Sequence, residues 1–233
     1  FGSQNGTVYA LNAANGSVIW TYHAGGAVKA SPTLSGGVLY FGDYSGHVQA
    51  ISETTGKLVW INGGDSILGD DGTFYSTAAV VFGRVFLGNT DGRVYAFDAA
   101  TGKLAWAHQT GSYVYSSPAV TDVPGLGDTV FIGSYDGTMY ALSAFSGSVR
   151  WSDHIGGRIS GSPTILGPIV YFADLGLTET FALGLKSGAI LYRRHSGSFD
   201  PVISDGTRIY MSGITGLYGL VPTGHRHPKK KAA

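Results

Sequence analysis

The chain has 233 residues, 43% of them hydrophobic, so it can bury a sizeable core and does not read as a disordered polypeptide. Charged residues make up only 13%, and fifteen acidic side chains cancel fifteen Lys and Arg, which excludes a general electrostatic pull toward nucleic acid or anionic membrane. There is no cysteine, hence no disulfide framework and no thiol chemistry, and no apolar run reaches the roughly 20 residues that span a bilayer.

With 37 Gly and 14 Tyr the composition favours short strands and many turns. In chain order, Phe1-Gly2 matches Phe41-Gly42, so the chain starts late in a strand. Residues 8–20, VYALNAANGSVIW, then read as a hairpin: an alternating strand, an Asn/Gly turn and a return strand ending at Trp20. The same thirteen-residue pattern returns as VQAISETTGKLVW (48–60), VYAFDAATGKLAW (94–106), MYALSAFSGSVRW (139–151) and TFALGLKSGAILY (180–192), with a damaged copy beginning LYGLVPTG at Leu217. The turn glycines Gly16, Gly56, Gly102, Gly147 and Gly188 lie 40, 46, 45 and 41 residues apart. A fixed period of that size is the signature of a repeat architecture.

In the third copy, Val94–Asp98 alternates as a strand should. Asp98 can bond the backbone just ahead, Gly102 can take positive φ, and Lys103–Trp106 runs back. Two further strands precede each hairpin, as in SPTLSGG followed by VLYFGDYSG, making four short antiparallel strands per unit. Both faces of the sheet are apolar: Tyr95 and Phe97 on one, Val94 and Ala96 on the other. A column of small residues (Ala10, Ala50, Ala96, Ala141, Ala182) allows close approach of a neighbouring sheet, and the Trp column (Trp20, Trp60, Trp106, Trp151, then Tyr192) fills the wider gap between units. Two-faced four-stranded sheets in series fit radial stacking, so the predicted fold is all-β, a β-propeller. The variant with Asp after each Trp does not apply, since Thr21, Ile61, Ala107 and Ser152 follow here. The end, DPVISDGTRIYMSGITGLYGLV, supplies three strands and no fourth. About six blades or part-blades are therefore expected over residues 1–222, an incomplete arc of a seven- or eight-bladed ring, followed by a basic tail at 223–233. That tail, with its HRHPKKK run, reads as a solvated end or a weak anchor to an anionic surface.

The run Ala96-x-Asp98-x-x-Thr101-Gly102-x-x-x-Trp106 resembles the closing motif of the pyrroloquinoline-quinone (PQQ) type propeller repeat. The other copies match with substitutions, and the fifth departs most, carrying Gly184 and Tyr192. The family includes quinoprotein dehydrogenases, a lipoprotein of outer-membrane protein assembly and extracytoplasmic sensor domains. The resemblance implies an extracytoplasmic setting for a binding or scaffold propeller with a protein partner. Its rival is a fragment of a quinone-dependent dehydrogenase. In those enzymes the resemblance implies a cofactor on the propeller axis, clamped by a disulfide of adjacent cysteines, with calcium held by carboxylates and amides. A chain without cysteine lacks that clamp, so neither a cofactor nor a catalytic residue is assigned.

Among seven histidines, His23, His154 and His195 stand three places after their repeat's Trp or Tyr. Equivalent positions in neighbouring blades lie about 10 Å apart, too far to share a zinc ion, so these read as exposed strand-end residues. The connection from Trp60 to Ala78 is about six residues longer than its counterparts and contains Asp65, Asp70 and Asp71. Calcium binding, partner contact and a neutral insertion all remain open there, although the spacing matches no known calcium loop. After each Trp the chain must cross from an outermost strand to the next innermost one, which brings the residues before the Pro column to the mouth of the central channel. In this sequence these are Lys29, Tyr75 and Tyr115, with Tyr113 and Arg158 two places further upstream. Together with Asp65, Asp70 and Asp71 they form the candidate partner-binding face. The alternative is that the tyrosines merely pack the channel wall.

Overall fold

The computed structural model describes residues 1–63, 72–197, 202–213 and 216–220, and among them every regular element is a strand. The strands fall into six antiparallel sheets in chain order. The first pairs β1 (Thr7–Leu11) with β2 (Val18–His23), and Gly2 adds a single bridge to Val8. The second holds β3 (Thr33–Ser35), β4 (Val38–Gly42), β5 (His47–Ser52) and β6 (Leu58–Gly63). The third holds β7 (Ala79–Val81), β8 (Arg84–Gly88), β9 (Arg93–Asp98) and β10 (Leu104–Gln109). The fourth runs through β11 (Ala119–Val123), β12 (Gly127–Gly133), β13 (Thr138–Ser143) and β14 (Val149–His154). The fifth comprises β15 (Thr164–Leu166), β16 (Ile169–Asp174), β17 (Glu179–Gly184) and β18 (Ile190–Arg194). The last is a three-stranded sheet of β19 (Ile203–Ser204), β20 (Ile209–Gly213) and β21 (Gly216–Leu220).

Among the described residues this is the predicted arc: four four-stranded blades between a two-stranded and a three-stranded sheet that do not merge into a shared one. The first sheet holds only the remnant of a second strand, as the match of Gly2 to Gly42 requires.

Because each sheet is apolar on both faces, the core is divided into slabs between blades. Along β9, Val94 and Ala96 join the cluster shared with the fourth sheet, while Tyr95 and Phe97 join the one shared with the second. All four are fully buried, and burial of each large side chain contributes about 1.5–3 kcal/mol. The slab can close because the last residue of the second strand is glycine. A Cβ on Gly88 would stand 2.5 Å from Val114, and one on Gly133 2.1 Å from Ile159, so the chain entering the next blade tucks an apolar side chain against bare backbone.

The outer edge is closed by the Trp column. Trp20, Trp60, Trp106 and Trp151 each donate their indole N–H to a carbonyl in the next sheet's hairpin turn, at Glu53, Ala99, Ala144 and Leu185, over 2.8–3.0 Å. Three residues beyond each of those carbonyls lies the turn glycine, whose missing Cβ makes room for the indole. At Gly102 a Cβ would approach Trp60 to 2.6 Å. Both ends of the motif thus serve one latch between blades.

Candidate functional site

One end of every sheet carries two kinds of segment, the turn between its second and third strands and the crossing that leads to the next blade. The crossings alternate. Val28, Phe74, Val114 and Ile159 are buried in the slabs, which forces the following residues, Lys29, Tyr75, Tyr115 and Ser160, toward the axis. Backbone bonds pin each crossing on both sides: Val114 N–H donates to the Asn89 carbonyl at 3.0 Å, and Tyr135 N–H to the Tyr113 carbonyl at 2.9 Å. The turns are braced from within by buried Asp43, Asn89 and Ser134, which accept the N–H groups of Ser45, Asp91 and Asp136.

The result is a continuous aromatic rim. Lys29 lies over the Tyr44 ring at 4.5 Å and the Tyr75 ring at 6.0 Å. Ring centroids then follow at 5.8 Å (Tyr44–Tyr75), 5.3 Å (Tyr75–Tyr115), 5.9 Å (Tyr113–Tyr115) and 4.8 Å (Tyr115–Tyr135). Arg158 closes the series 5.9 Å from the Tyr135 ring. Tyr75 and Tyr113 remain 45% and 52% exposed, so part of each ring faces solvent at the mouth. Burial pushes the Tyr44 phenol up, with Lys29 opposing it; burial and then the neighbouring Tyr135 push Tyr115 up. Both stay protonated at neutral pH. Inside the rim lies a cavity of about 550 Å³, whose wall includes a ring of small hydroxyl residues, Ser31, Thr77, Ser117 and Ser162.

Five of the sequence-predicted residues, Lys29, Tyr75, Tyr113, Tyr115 and Arg158, therefore come together at this mouth. Asp65, Asp70, Asp71 and the basic tail lie outside the described residues. Sequence reasoning missed Tyr44 and Tyr135. Their signal was present, since both sit in the second-to-third-strand turn, in DYSG and SYDG, at the same end of the sheet as the crossings.

The fifth unit departs here as it does in its motif. Its turn is one residue longer and puts Thr178 at φ 55°, where its counterparts Gly92 and Gly137 hold positive φ. Asp174 is fully buried beneath Gly157, and burial pushes its carboxyl up while the Leu177 N–H opposes this. Glu179, also buried, accepts from Arg193 and faces His195. His23, His154 and His195 are exposed, each with Nδ1 against the first residue of the neighbouring third strand, Thr7, Thr138 or Glu179. Among the described residues no three His, Cys, Asp or Glu side chains meet to hold a metal.

A quinone with calcium does not fit this cavity. Its described wall offers an ammonium, hydroxyls and phenols, with no carboxylate or amide side chain for calcium and no cysteine pair to stack on the ring.

Radial two-faced sheets, latched by Trp to the next turn and opening on an axial mouth, define a PQQ-type repeat propeller. The family model described as outer membrane protein assembly factor BamB matches residues 1–189 and again 91–220, and the chain belongs to that family. BamB of Yersinia pestis is 37% identical over 59 residues, covering 25% of this chain and 15% of that protein. The matched segments of the curated relatives amount to only 10–15% of their own lengths. Among solved structures, BamB from Moraxella catarrhalis aligns with a TM-score of 0.78 at 20% identity over 94% of this chain and 68% of its own. Quinohemoprotein alcohol dehydrogenase from Comamonas testosteroni aligns with 0.67 at 15% identity over 88% and 48%. At such identities the two structures speak for the fold alone.

Proposed function

We propose that this chain is a non-enzymatic binding propeller that presents its axial mouth to a protein partner in an extracytoplasmic compartment. The observation that carries the reading is the rim itself: five tyrosines and two cations in unbroken contact, pinned by backbone bonds and still open to solvent. Tyr and Arg dominate binding hot spots because they bring large contact area with polar ends, and a pre-ordered rim loses little entropy on binding. The family's namesake is an assembly factor for outer membrane proteins, which supports both the partner and the compartment. Among the described residues no helix is long and apolar enough to cross a membrane.

The test is photo-crosslinking in cells from a benzoylphenylalanine placed at position 113 or at position 145. Phe145 is 82% exposed in the β13–β14 turn, at the opposite end of its sheet. A discrete protein adduct from 113 that is absent from 145 is expected. Adducts from 145 alone, or equally from both, overturn the assignment. The dehydrogenase alternative is checked by adding the quinone with calcium: stoichiometric uptake with dye-linked alcohol oxidation would replace this reading.

A further inference from the structure

The axial cavity is lined by hydroxyl groups, which can donate as well as accept, and by one ammonium, with no carboxylate in its described wall. Ser117 Oγ accepts the Thr77 N–H at 2.9 Å, and Ser162 Oγ accepts the Ser117 N–H at 3.0 Å, a relay that steps from blade to blade around the axis. Each of these oxygens is thus engaged by the backbone, and neither hydroxyl donates to a protein acceptor among the described residues. Both hydroxyls are therefore available to donate into the cavity, as are those of Ser31, Thr77 and Ser160 on the same wall. Lys29 stands at the same wall, and no carboxylate of the described residues pairs with it or with Arg158.

A cationic ligand is disfavoured, because Lys29 and Arg158 already lie over three of the five rings, Tyr44, Tyr75 and Tyr135, and repel a further positive charge. An apolar one would strand the hydroxyl ring without partners. A carboxylate is what several converging donors and one ammonium stabilise. Tyr135 lines both this cavity and a second hollow of about 380 Å³ that contains Arg158, so the two cationic positions are stations on one track rather than a single anion site.

We infer that the mouth receives an extended acidic segment of the protein partner, with one carboxylate among Lys29 and the hydroxyl ring and a second beside Arg158. This rests on the partner-binding reading above and adds the chemistry of what is bound.

The test uses a fluorescein-labelled oligoglutamate peptide, with oligoglutamine of the same length as control, followed by fluorescence anisotropy at low ionic strength. Oligoglutamate is expected to bind and oligoglutamine not. Lys29→Gln is expected to weaken binding roughly tenfold, the value of one charge-assisted hydrogen bond, and Arg158→Gln to weaken it as well. Lys186→Gln, in the groove at the opposite end of the sheets, should leave it unchanged. Because Lys29 and Arg158 are exposed, these variants should keep the parent's melting temperature. Ser160→Ala, at a side chain with no hydrogen-bond partner among the described residues, provides a second probe of the cavity. Equal binding of oligoglutamine, or binding unaffected by Lys29→Gln and Ser160→Ala, overturns the inference. Competition by inorganic phosphate as strong, per charge, as that by unlabelled peptide would also overturn it, showing a general anion site. If position 113 yields its adduct while oligoglutamate fails to bind, the acidic-segment inference falls and the partner-binding reading stands. Binding without an adduct would overturn the partner-binding reading and with it the assignment of the segment to a protein partner, leaving only an acidic-peptide site.

Discussion

The first sheet and the third are written from nearly the same thirteen residues, VYALNAANGSVIW and VYAFDAATGKLAW. Both turns hold their glycine at positive φ, +74° at Gly16 and +71° at Gly102. Around Gly16 a Cβ would meet nothing within 4 Å, whereas at Gly102 it would run into Trp60. Leu11 is 40% exposed, while its counterpart Phe97 is fully buried. The backbone of the turn is therefore a local property of its residues, but the latch and the burial belong to a pair of sheets. The same letters mean less where no neighbouring Trp reaches them.

The largest test of that contrast is at the Trp column. Trp106→Ala should cost about 3–5 kcal/mol, since the ring is 8% exposed, packs on Phe86 and bonds the Ala144 carbonyl. Tyr192, its counterpart in the fifth unit, is 39% exposed, and Tyr192→Ala should cost under about 1.5 kcal/mol. Urea unfolding compares the two. A cost below about 1 kcal/mol at Trp106 would show that the ring does not close the slab.

Next comes the turn glycine. Gly16→Ala isolates the price of positive φ, about 1–2 kcal/mol. Gly102→Ala adds the overlap with Trp60 and should cost about 1–3 kcal/mol more. Equal losses in thermal unfolding would remove the indole from the account.

A third effect is absent at neutral pH. Burial, and then a bond to a carboxylate (Asp91 or Asp136), pushes Tyr95 and Tyr140 up to about 12. Their folded values lie above the unfolded value near 10, so the unfolded chain gives up these protons first. Their contribution is complete below about pH 10 and is lost as the pH rises toward 12. Phenolate absorbance should show Tyr95 and Tyr140 among the last tyrosines to titrate in the folded protein, and Tyr95→Phe with Tyr140→Phe should flatten the alkaline fall in stability. If these rings titrate with free tyrosine, the slabs admit water.

The smallest effect is expected at the rim. Tyr113→Ala, at a half-exposed ring outside the slabs, should change stability by no more than about 0.5 kcal/mol. A loss comparable with that at Trp106 would make the rim a structural element and weaken its reading as a binding surface.

Much of this was legible in the repeat. Five copies in register revealed the sheets, their two faces and the incomplete ends, because side-chain alternation and turn chemistry are local. Lys29, Tyr75 and Tyr115 were legible as a mouth because a crossing of fixed length has only one place to go. Tyr44 and Tyr135 carried a fainter signal: an up-and-down sheet of four strands puts its second-to-third-strand turn at the same end as the crossings, but which rings meet there from blade to blade is a fact of three dimensions. The relay from Thr77 through Ser117 to Ser162 was hidden for the same reason: serine before proline reads as an ordinary turn until the neighbouring blade's N–H is seen to reach it. The indole latch lay between the two. Trp and Gly were both conspicuous, but their partnership crosses from one copy to the next.

Every latch runs the same way along the chain, from an indole to a carbonyl 33 to 39 residues later. One period therefore carries a whole plug and a whole socket. Duplicating or deleting a complete unit leaves neither orphaned at the splice, whereas a cut inside a unit strands both. Chains built this way can change their number of blades in a single genetic step. The diameter of the axial opening then becomes heritable separately from the side chains that line it, so what the mouth recognises and how wide it is can evolve along independent paths.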